Sequence, residues 1–360
     1  MPDTHGLEEL GFSPYWQALF EPYAAAGMTA ARVIRSDRGS ALVMTAAGVI
    51  RAKFSARYFK AASGPSDRPV AGDWVVAQTS GELDVPLIEA ILERASAITR
   101  GDPGKAGVQA LAANIDTVFV VHPIAETPNL RRIERELSLA WDSGATPVVV
   151  LTKEDLSTDP DAARAAVESV APETDVLVMN ALAGQSPRQL LAYISGHRTA
   201  VLVGPSGAGK STLINVLLGE LRQATREVRV NDGRGRHTTV TRELIQMPGG
   251  GMLIDTPGLR SLGLTGSEEG ISSAFPDIEQ LAGSCRFRDC SHIEEPGCAV
   301  RSAVESGELL SDRLASYHKL IKEAQVAATR TVARLRAEED RKGKISRKAA
   351  RDYYKRAGRD

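Results

Sequence analysis

Hydrophobic positions change their period several times along this chain. Phe12, Trp16, Leu19, Phe20 and Tyr23 recur at helical spacing, which predicts a helical lead-in over residues 1–27 with one packing face. The period then shortens. Apolar runs at 32–34, 41–44, 49–54, 74–77 and 87–92 are separated by turn signals such as Asp37-Arg38-Gly39 and Ala71-Gly72-Asp73. In one run Ile50, Ala52 and Phe54 alternate with Val49, Arg51 and Lys53, the signature of a half-buried strand with a basic outer face. Five short strands predict an all-β barrel domain over 28–105, with the OB-fold as the natural topology.

Residues 100–107 contain Gly-Asp-Pro-Gly and read as a linker. From there strand and helix patterns alternate. Strands are expected at 117–121, 147–151, 176–179, 199–203, 240–247 and 252–254, and helices at 130–140, 162–170 and 211–218. Interleaving of this kind predicts a doubly wound α/β domain over 106–270. Beyond about residue 275 the pattern becomes irregular around three cysteines. Leu314, Tyr317, Ile321, Ala324, Ala328, Val332 and Leu335 then mark one face of a long helix, closing a C-terminal α domain over 271–360.

Composition narrows the class. The 360 residues suffice for two or three domains, and the formal charge of −1 gives no overall attraction to polyanions. Local charge differs: residues 341–360 carry nine Lys/Arg against two Asp, a patch of +7. No run approaches the length of a membrane span, and Met1 to Leu10 is acidic rather than a basic-then-apolar leader, so a cytoplasmic protein without membrane contact is expected.

Chemistry concentrates first at Gly204-Pro205-Ser206-Gly207-Ala208-Gly209-Lys210-Ser211, followed by Thr212. The spacing fits a phosphate-binding loop: glycines turn backbone N–H groups inward, Lys210 reaches the β- and γ-phosphates, and the Ser211 hydroxyl binds Mg²⁺. A strand precedes it and a helix follows, as the motif requires. Asp255, after the apolar run 252–254, suits the second Mg²⁺ position, and the Gly258 N–H is placed to sense a γ-phosphate. Between them lies a polar, glycine-rich stretch ending in His237-Thr238-Thr239; one of the two threonines would complete the Mg²⁺ shell. Upstream, Thr152-Lys153-Glu154-Asp155 follows another apolar strand. Asp155 there can accept from guanine N1–H and N2–H₂, which adenine lacks, while Lys153 packs over the base. Asn180-Ala181, after the 176–179 strand, can add a backbone contact to the guanine oxygen. The usual first residue of the guanine motif is Asn, and here it is Thr152. Leu259 follows Gly258 where Ras-like enzymes carry the water-orienting Gln, which leaves His237 as the nearby candidate for that role.

The three cysteines fall within 14 residues. Cys285, Cys290 and Cys298 with His292 make three thiolates and one imidazole, a closed tetrahedral set for one structural Zn²⁺. Arg286 and Arg288 lie between ligands, and Tyr353 and Tyr354 in the basic tail; these, with Arg51 and Lys53, are candidate RNA contacts.

The guanine-reading motif precedes the phosphate loop here, the reverse of an ordinary GTPase domain. Together with Gly72-Asp73-Trp74-Val75, Gly235-Arg236-His237-Thr238-Thr239, Asp255-Thr256-Pro257-Gly258 and the cysteine cluster, that order resembles the ribosome small-subunit-dependent GTPase A family of circularly permuted GTPases. The resemblance spans nearly the whole chain. It implies an OB-fold, a permuted GTPase domain and a zinc domain. It also implies a late role in maturing the small ribosomal subunit, with that subunit and its rRNA as partners, GTP and GDP as ligands, and hydrolysis stimulated by the subunit. A monomer is expected. Two other classes compete: a small-molecule phosphotransferase, for which no acceptor lid is visible, and a zinc-dependent RNA-binding module in which nucleotide only stabilises the fold.

Overall fold

The computed structural model describes residues 6–61, 65–79, 85–101, 108–182, 186–219, 242–255, 267–329 and 333. The lead-in folds as helix α1 (Pro14–Ala24), with Pro14 at its first turn, where a missing N–H costs nothing. Its Trp16 and Phe20 are buried with Phe12 against Trp74 of the following domain, so the predicted packing face is real and its partner is the barrel.

Strands β1 (Thr29–Asp37), β2 (Ser40–Thr45), β3 (Gly48–Phe54), β4 (Trp74–Gln78) and β5 (Leu87–Ile91) close into a barrel in the order β1-β2-β3-β5-β4. A short helix α2 (Ala56–Ala61) leads from β3 toward β4, and β3 pairs with β5 in parallel. That is the five-stranded arrangement expected of the OB-fold. Ala31, Val33, Val43, Ala52, Val75 and Ile88 fill the interior. On β3 the outer Arg51 is not a free cation. It donates to Asp37 at 2.8 Å, which corrects the picture of a uniformly basic face.

The segment read as a linker opens inside a strand. β6 (Ala97–Gly101) and β7 (Val108–Ala113) form an antiparallel ribbon, with Arg100 opposite Gln109. Beyond it come β8 (Thr117–Pro123), α3 (Leu130–Asp142), β9 (Thr146–Thr152), α4 (Pro160–Glu168), β10 (Asp175–Met179), α5 (Leu191–Ile194), β11 (Thr199–Val203), α6 (Lys210–Leu218), β12 (Glu243–Gln246) and β13 (Met252–Asp255). The sheet order is β10-β9-β8-β11-β13-β12, parallel except for the edge strand β12. β8 and β9 are buried on both faces, which explains their unbroken apolar runs. Chain order jumps between the neighbours β8 and β11. In open α/β sheets such a switch point leaves a crevice at the carboxyl ends of the strands.

Two buried arginines bind the parts together. Arg32 of β1 donates to the carbonyls of Leu10, Gly72 and Asn114 and, at 2.6 Å, to Thr199 Oγ1. Burial pulls its pKa down to about 10, so it remains charged near neutrality while tying lead-in, barrel, ribbon and α/β sheet together. Beside it, Gly72 (φ 92°) lets the barrel approach closely: a Cβ there would lie 2.1 Å from the Ala113 carbonyl oxygen.

Four helices follow: α7 (Glu268–Ala274), α8 (Pro276–Ala282), α9 (Ala299–Ser306) and α10 over residues 311–329. α8 stands where the sequence reads as irregular, and α7 just before it, in a stretch where no element is expected. Of the predicted apolar face of α10, Ala324 is buried and Leu314, Tyr317 and Ile321 are half-buried, whereas Ala328 is exposed; Leu320, not in the predicted set, is buried as well, and Val332 and Leu335 fall outside the described residues. Arg313 of α10 bonds Glu134 of α3 at 2.8 Å, Asp277 of α8 through two nitrogens, and the Val170 and Ala274 carbonyls. Its guanidinium also stacks 4.0 Å from the Phe275 ring centre. All five of its N–H positions thus serve to seat the C-terminal helices on the α/β domain. Among the described residues no helix is long and apolar enough to cross a membrane.

Candidate nucleotide and metal sites

The loop 204–209 leaves the end of β11 at the switch point and turns into α6. Gly204 adopts φ 135°, and a Cβ there would meet the Val121 carbonyl oxygen of β8 at 2.1 Å, so only glycine lets the loop start this close to the neighbouring strand. Ala208 is fully buried and anchors the far side of the turn. Lys210 opens α6 and donates from Nζ to the carbonyls of Gly204 at 2.7 Å and Pro205 at 2.6 Å. Its ammonium therefore lies over the concave loop, beside the first turn of α6. Charge and donors at that place favour an anion. Ser211 and Thr212 follow on the first turn of α6, both half-buried.

The turn after β9 lies against this loop. Thr152 is fully buried, and its hydroxyl donates to the Ala208 carbonyl at 2.7 Å, 56 residues away. Thr152 thus ties the strand that ends in Lys153-Glu154-Asp155 to the phosphate loop. Its hydroxyl serves the scaffold rather than facing a base. Lys153 is held in the left-handed region (φ 61°), a conformation that costs a side-chain residue energy and is characteristic of functional turns. Glu154 and Asp155 sit on the short 3₁₀ turn that follows, exposed at the lip. At the end of β10, Asn180 accepts from the Leu182 N–H at 2.9 Å, which fixes the turn around the buried Ala181. We expect Thr152→Val, which keeps shape but deletes the tie, to weaken GDP binding about fivefold to tenfold, the effect of one lost buried hydrogen bond. Titration with a fluorescent GDP analogue checks this, and an unchanged Kd contradicts it.

Asp255 ends β13, next to β11. Burial, with the nearby Glu243 carboxylate second, raises its pKa to about 6. Glu243 is its register partner on β12. Burial and the Glu243 charge both disfavour the ionised Asp255 carboxylate, and a cation bound there would favour it. Glu243 was not singled out from the sequence, because strand pairing brings it to Asp255 and no motif contains it. Another unanticipated pair is His122 at the end of β8, whose Nε2 lies 2.7 Å from Glu136 Oε2, both buried. The predicted residues His237, Thr238, Thr239, Gly258 and Leu259 lie outside the described residues, as does the basic tail at 341–360.

The second candidate site is in the loop between α8 and α9. One ligand atom from each of Cys285, Cys290, His292 and Cys298 lies within 4.8 Å of the others. The Cys285 and Cys298 sulfurs are 3.9 Å apart, and His292 Nδ1 stands 3.6 and 3.4 Å from them. A tetrahedral zinc site with the usual Zn–S and Zn–N bond lengths has edges of about 3.5–3.8 Å. The donor set therefore fits a four-coordinate metal ion with no open position.

Comparison with known proteins agrees with this architecture. Residues 91–265 match the family described as RsgA GTPase. The chain is 46% identical to the small ribosomal subunit biogenesis GTPase RsgA of Streptomyces avermitilis, covering 93% of this chain and 90% of that protein. It is 42% identical to the protein of the same name from Opitutus terrae, covering 94% and 95%. Among solved structures it resembles YjeQ from Thermotoga maritima, with a TM-score of 0.63 and 25% identity over 83% of this chain and 99% of that one. It also resembles YloQ, described as a circularly permuted GTPase, with a TM-score of 0.61 and 25% identity over 83% and 96%. With a phosphate-loop crevice at the switch point of a rotated strand order, and relatives matched over almost its full length, this chain belongs to the RsgA GTPase family.

Proposed function

We propose that this chain hydrolyses GTP to GDP and phosphate and acts in biogenesis of the small ribosomal subunit. The observation that carries the reading is convergence: the loop 204–211, the turn Thr152–Asp155 and Asp255 all stand at the carboxyl ends of parallel strands β11, β9 and β13 of one sheet, and Thr152 bonds the loop directly. In this reading Gly204 to Thr212 cradle the phosphates, and Lys210 turns from the loop carbonyls to the β- and γ-oxygens. Ser211 and Asp255 hold Mg²⁺, which neutralises phosphate charge, and Thr238 or Thr239 completes its shell. The Gly258 N–H faces the γ-phosphate. Asp155 takes the two guanine donors, Lys153 covers the ring, and Asn180 and Ala181 flank its oxygen. Leu259 offers nothing to orient water; His237 is the residue of this segment able to do so. Turnover is accordingly slow until a partner completes the site.

The partner is the small ribosomal subunit with its rRNA. The relatives' names specify its biogenesis, and patches rather than net charge must supply the contact: Lys53, Arg286, Arg288 and the 341–360 tail are suited to phosphates. The protein works as a monomer in the cytoplasm. Zn²⁺ is the metal that three thiolates and one imidazole select, and with four protein ligands its role is structural.

Two outcomes test this. Asp155→Asn is expected to shift preference from GTP toward XTP, whose C2 carbonyl accepts from the new amide, and competition binding reads the shift. Equal affinity of the unaltered protein for ATP and GTP sinks the guanine assignment. Cys290→Ser is expected to lose the one bound zinc per chain, read by elemental analysis, and to open residues 280–300 to proteolysis while GDP affinity stays nearly unchanged. Protein purified without chelator and free of zinc contradicts the metal assignment.

A further inference from the structure

The buried pair of His122 and Glu136 has no part in the sites above. His122 lies near the end of β8, on the face of Val118 and Val120, which pack in one core with Ile133 and Leu137 of α3. Val121 points to the other face and packs with Leu213 and Ile214 of α6. A third apolar residue at 122 would continue the first face without stripping water from an imidazole and a carboxylate. What the polar pair adds is direction, because a hydrogen bond fixes one position where apolar contact tolerates sliding. Nε2 of His122 lies 2.7 Å from Glu136 Oε2, with the two residues 3% and 7% exposed. The carboxylate accepts, so its partner assigns the proton to Nε2. Glu136 is itself held, because Oε1 accepts from Arg132 Nε at 3.0 Å, one turn earlier on α3.

That bond fixes the strand end beneath both halves of the nucleotide site. Val121 supplies the carbonyl against which Gly204 begins the phosphate loop, leaving 2.1 Å to a Cβ placed there. The His122 carbonyl lies 3.3 Å from the Thr152 hydroxyl, the same hydroxyl that donates to Ala208 at 2.7 Å on the far side of the loop. The Ile124 N–H donates to the Thr152 carbonyl at 2.9 Å. Pro123, between them, has no N–H and adds no backbone donor. Residues 121–124 therefore carry the start of the loop and the residue before Lys153, and the His122 side chain ties this floor to α3 from the opposite face.

We propose that His122 is a positioning residue for nucleotide binding: held by Glu136, it fixes the end of β8 so that the phosphate loop and the turn after Thr152 stand at the spacing one nucleotide bridges. Its imidazole faces α3, so it acts through the backbone of β8 and not by touching phosphate or base. The inference rests on the nucleotide reading above and adds the residue that sets the distance between its two halves.

The test is titration of the full-length zinc-loaded protein with a fluorescent GDP analogue, together with subunit-free GTP hydrolysis and Tm. His122→Leu fills the space and deletes the bond, and it is expected to weaken GDP binding about fivefold to tenfold, the scale of one lost buried hydrogen bond. KM for GTP should rise in proportion while kcat stays within about twofold, the pattern of binding lost equally from ground and transition states. His122→Gln, whose amide N–H can replace Nε2–H toward Glu136, should restore GDP affinity to within about twofold. His122→Leu/Thr152→Val should bind GDP about as weakly as the weaker single variant, because both changes release the same tie between the motifs, whereas independent losses would multiply. A lower Tm with unchanged GDP affinity marks the pair as structural and overturns the proposal. So does a Gln variant as weak as the Leu variant, or losses that multiply with Thr152→Val. If the Leu variant does not fold, His122→Asn, too short to reach Glu136, is read in the same way; failure of both to fold again marks the pair as structural. If the unaltered protein binds GDP and the Leu variant binds it equally well, this inference fails and the nucleotide reading stands. If the unaltered protein binds neither GDP nor GTP, both fail.

Discussion

Lys210→Ala is expected to lower GTP turnover by at least about a hundredfold, the scale on which removal of one preorganised electrostatic contact acts at a transition state. The ammonium is already above the loop, held by the Gly204 and Pro205 carbonyls, so its charge needs little rearrangement to meet the phosphates. The loop itself does not depend on that side chain. Its path is set by Gly204 against β8, by the buried Ala208 and by the Thr152 tie. The variant should therefore fold normally, with Tm within a few degrees of the unaltered protein, and fail at chemistry. Single-turnover hydrolysis at saturating GTP separates this from weakened binding. Leu259→Ala is the contrast, because an apolar side chain at that position cannot orient water: its turnover should remain appreciable. A loss as deep at Leu259 as at Lys210 would show that the roles have been misassigned.

Much of this architecture was legible in the chain, for identifiable reasons. The barrel strands announced themselves by alternation, as in Val49 to Phe54, where Ala52 is buried and Arg51 and Lys53 face outward. Closure did not. A period of two says which face is buried and is silent about which strand pairs with which, so the parallel β3–β5 pairing could come only from the structure. The phosphate loop was legible because every fixed residue has a separate physical duty and because its strand and helix flank it. The ribbon around Arg100 was masked by Gly101-Asp-Pro-Gly, whose turn chemistry outweighed the short pairing of Arg100 with Gln109. α7 and α8 are seven residues each, too short for a periodic face to stand out. Their start signals were nevertheless present: Ser267 accepts from the Gly270 N–H as an N-cap, and Pro276 opens α8.

What the sequence hid was long-range. Thr152 reads in one dimension only as a departure from the usual Asn, and its hydroxyl fastens one motif to the other. Arg32 and Arg313 look like ordinary surface cations in one dimension and are buried junctions in three. Arg51 looked free and is held by Asp37. In each case the partner lies on another element, and no local pattern encodes it.

The junction at Arg313 also bears on how a nucleotide signal could travel. The C-terminal helices are seated on α3 and α8 by a guanidinium whose five donors are all used, so they should move with the α/β domain as a body. A partner that touches the cysteine loop, the barrel and the tail together would then act on the nucleotide crevice from a rigid frame.

That expectation leads to the second large effect foreseen. Leu259 leaves the attacking water without an intrinsic guide, and the candidate helper His237 stands on a polar glycine-rich stretch. In other GTPases a partner that completes the site raises turnover by about 10³–10⁵. Small subunits should therefore accelerate GTP hydrolysis by this protein by at least about tenfold. The gain should shrink steeply as salt rises, because the contacts are patches of Lys and Arg on phosphates. The decisive measurement is steady-state GTP hydrolysis by the zinc-loaded protein alone, with purified small subunits and with purified large subunits, at low and moderate KCl. Stimulation confined to small subunits and lost with salt is the predicted result; turnover unchanged by small subunits, or raised equally by large ones, would contradict the account.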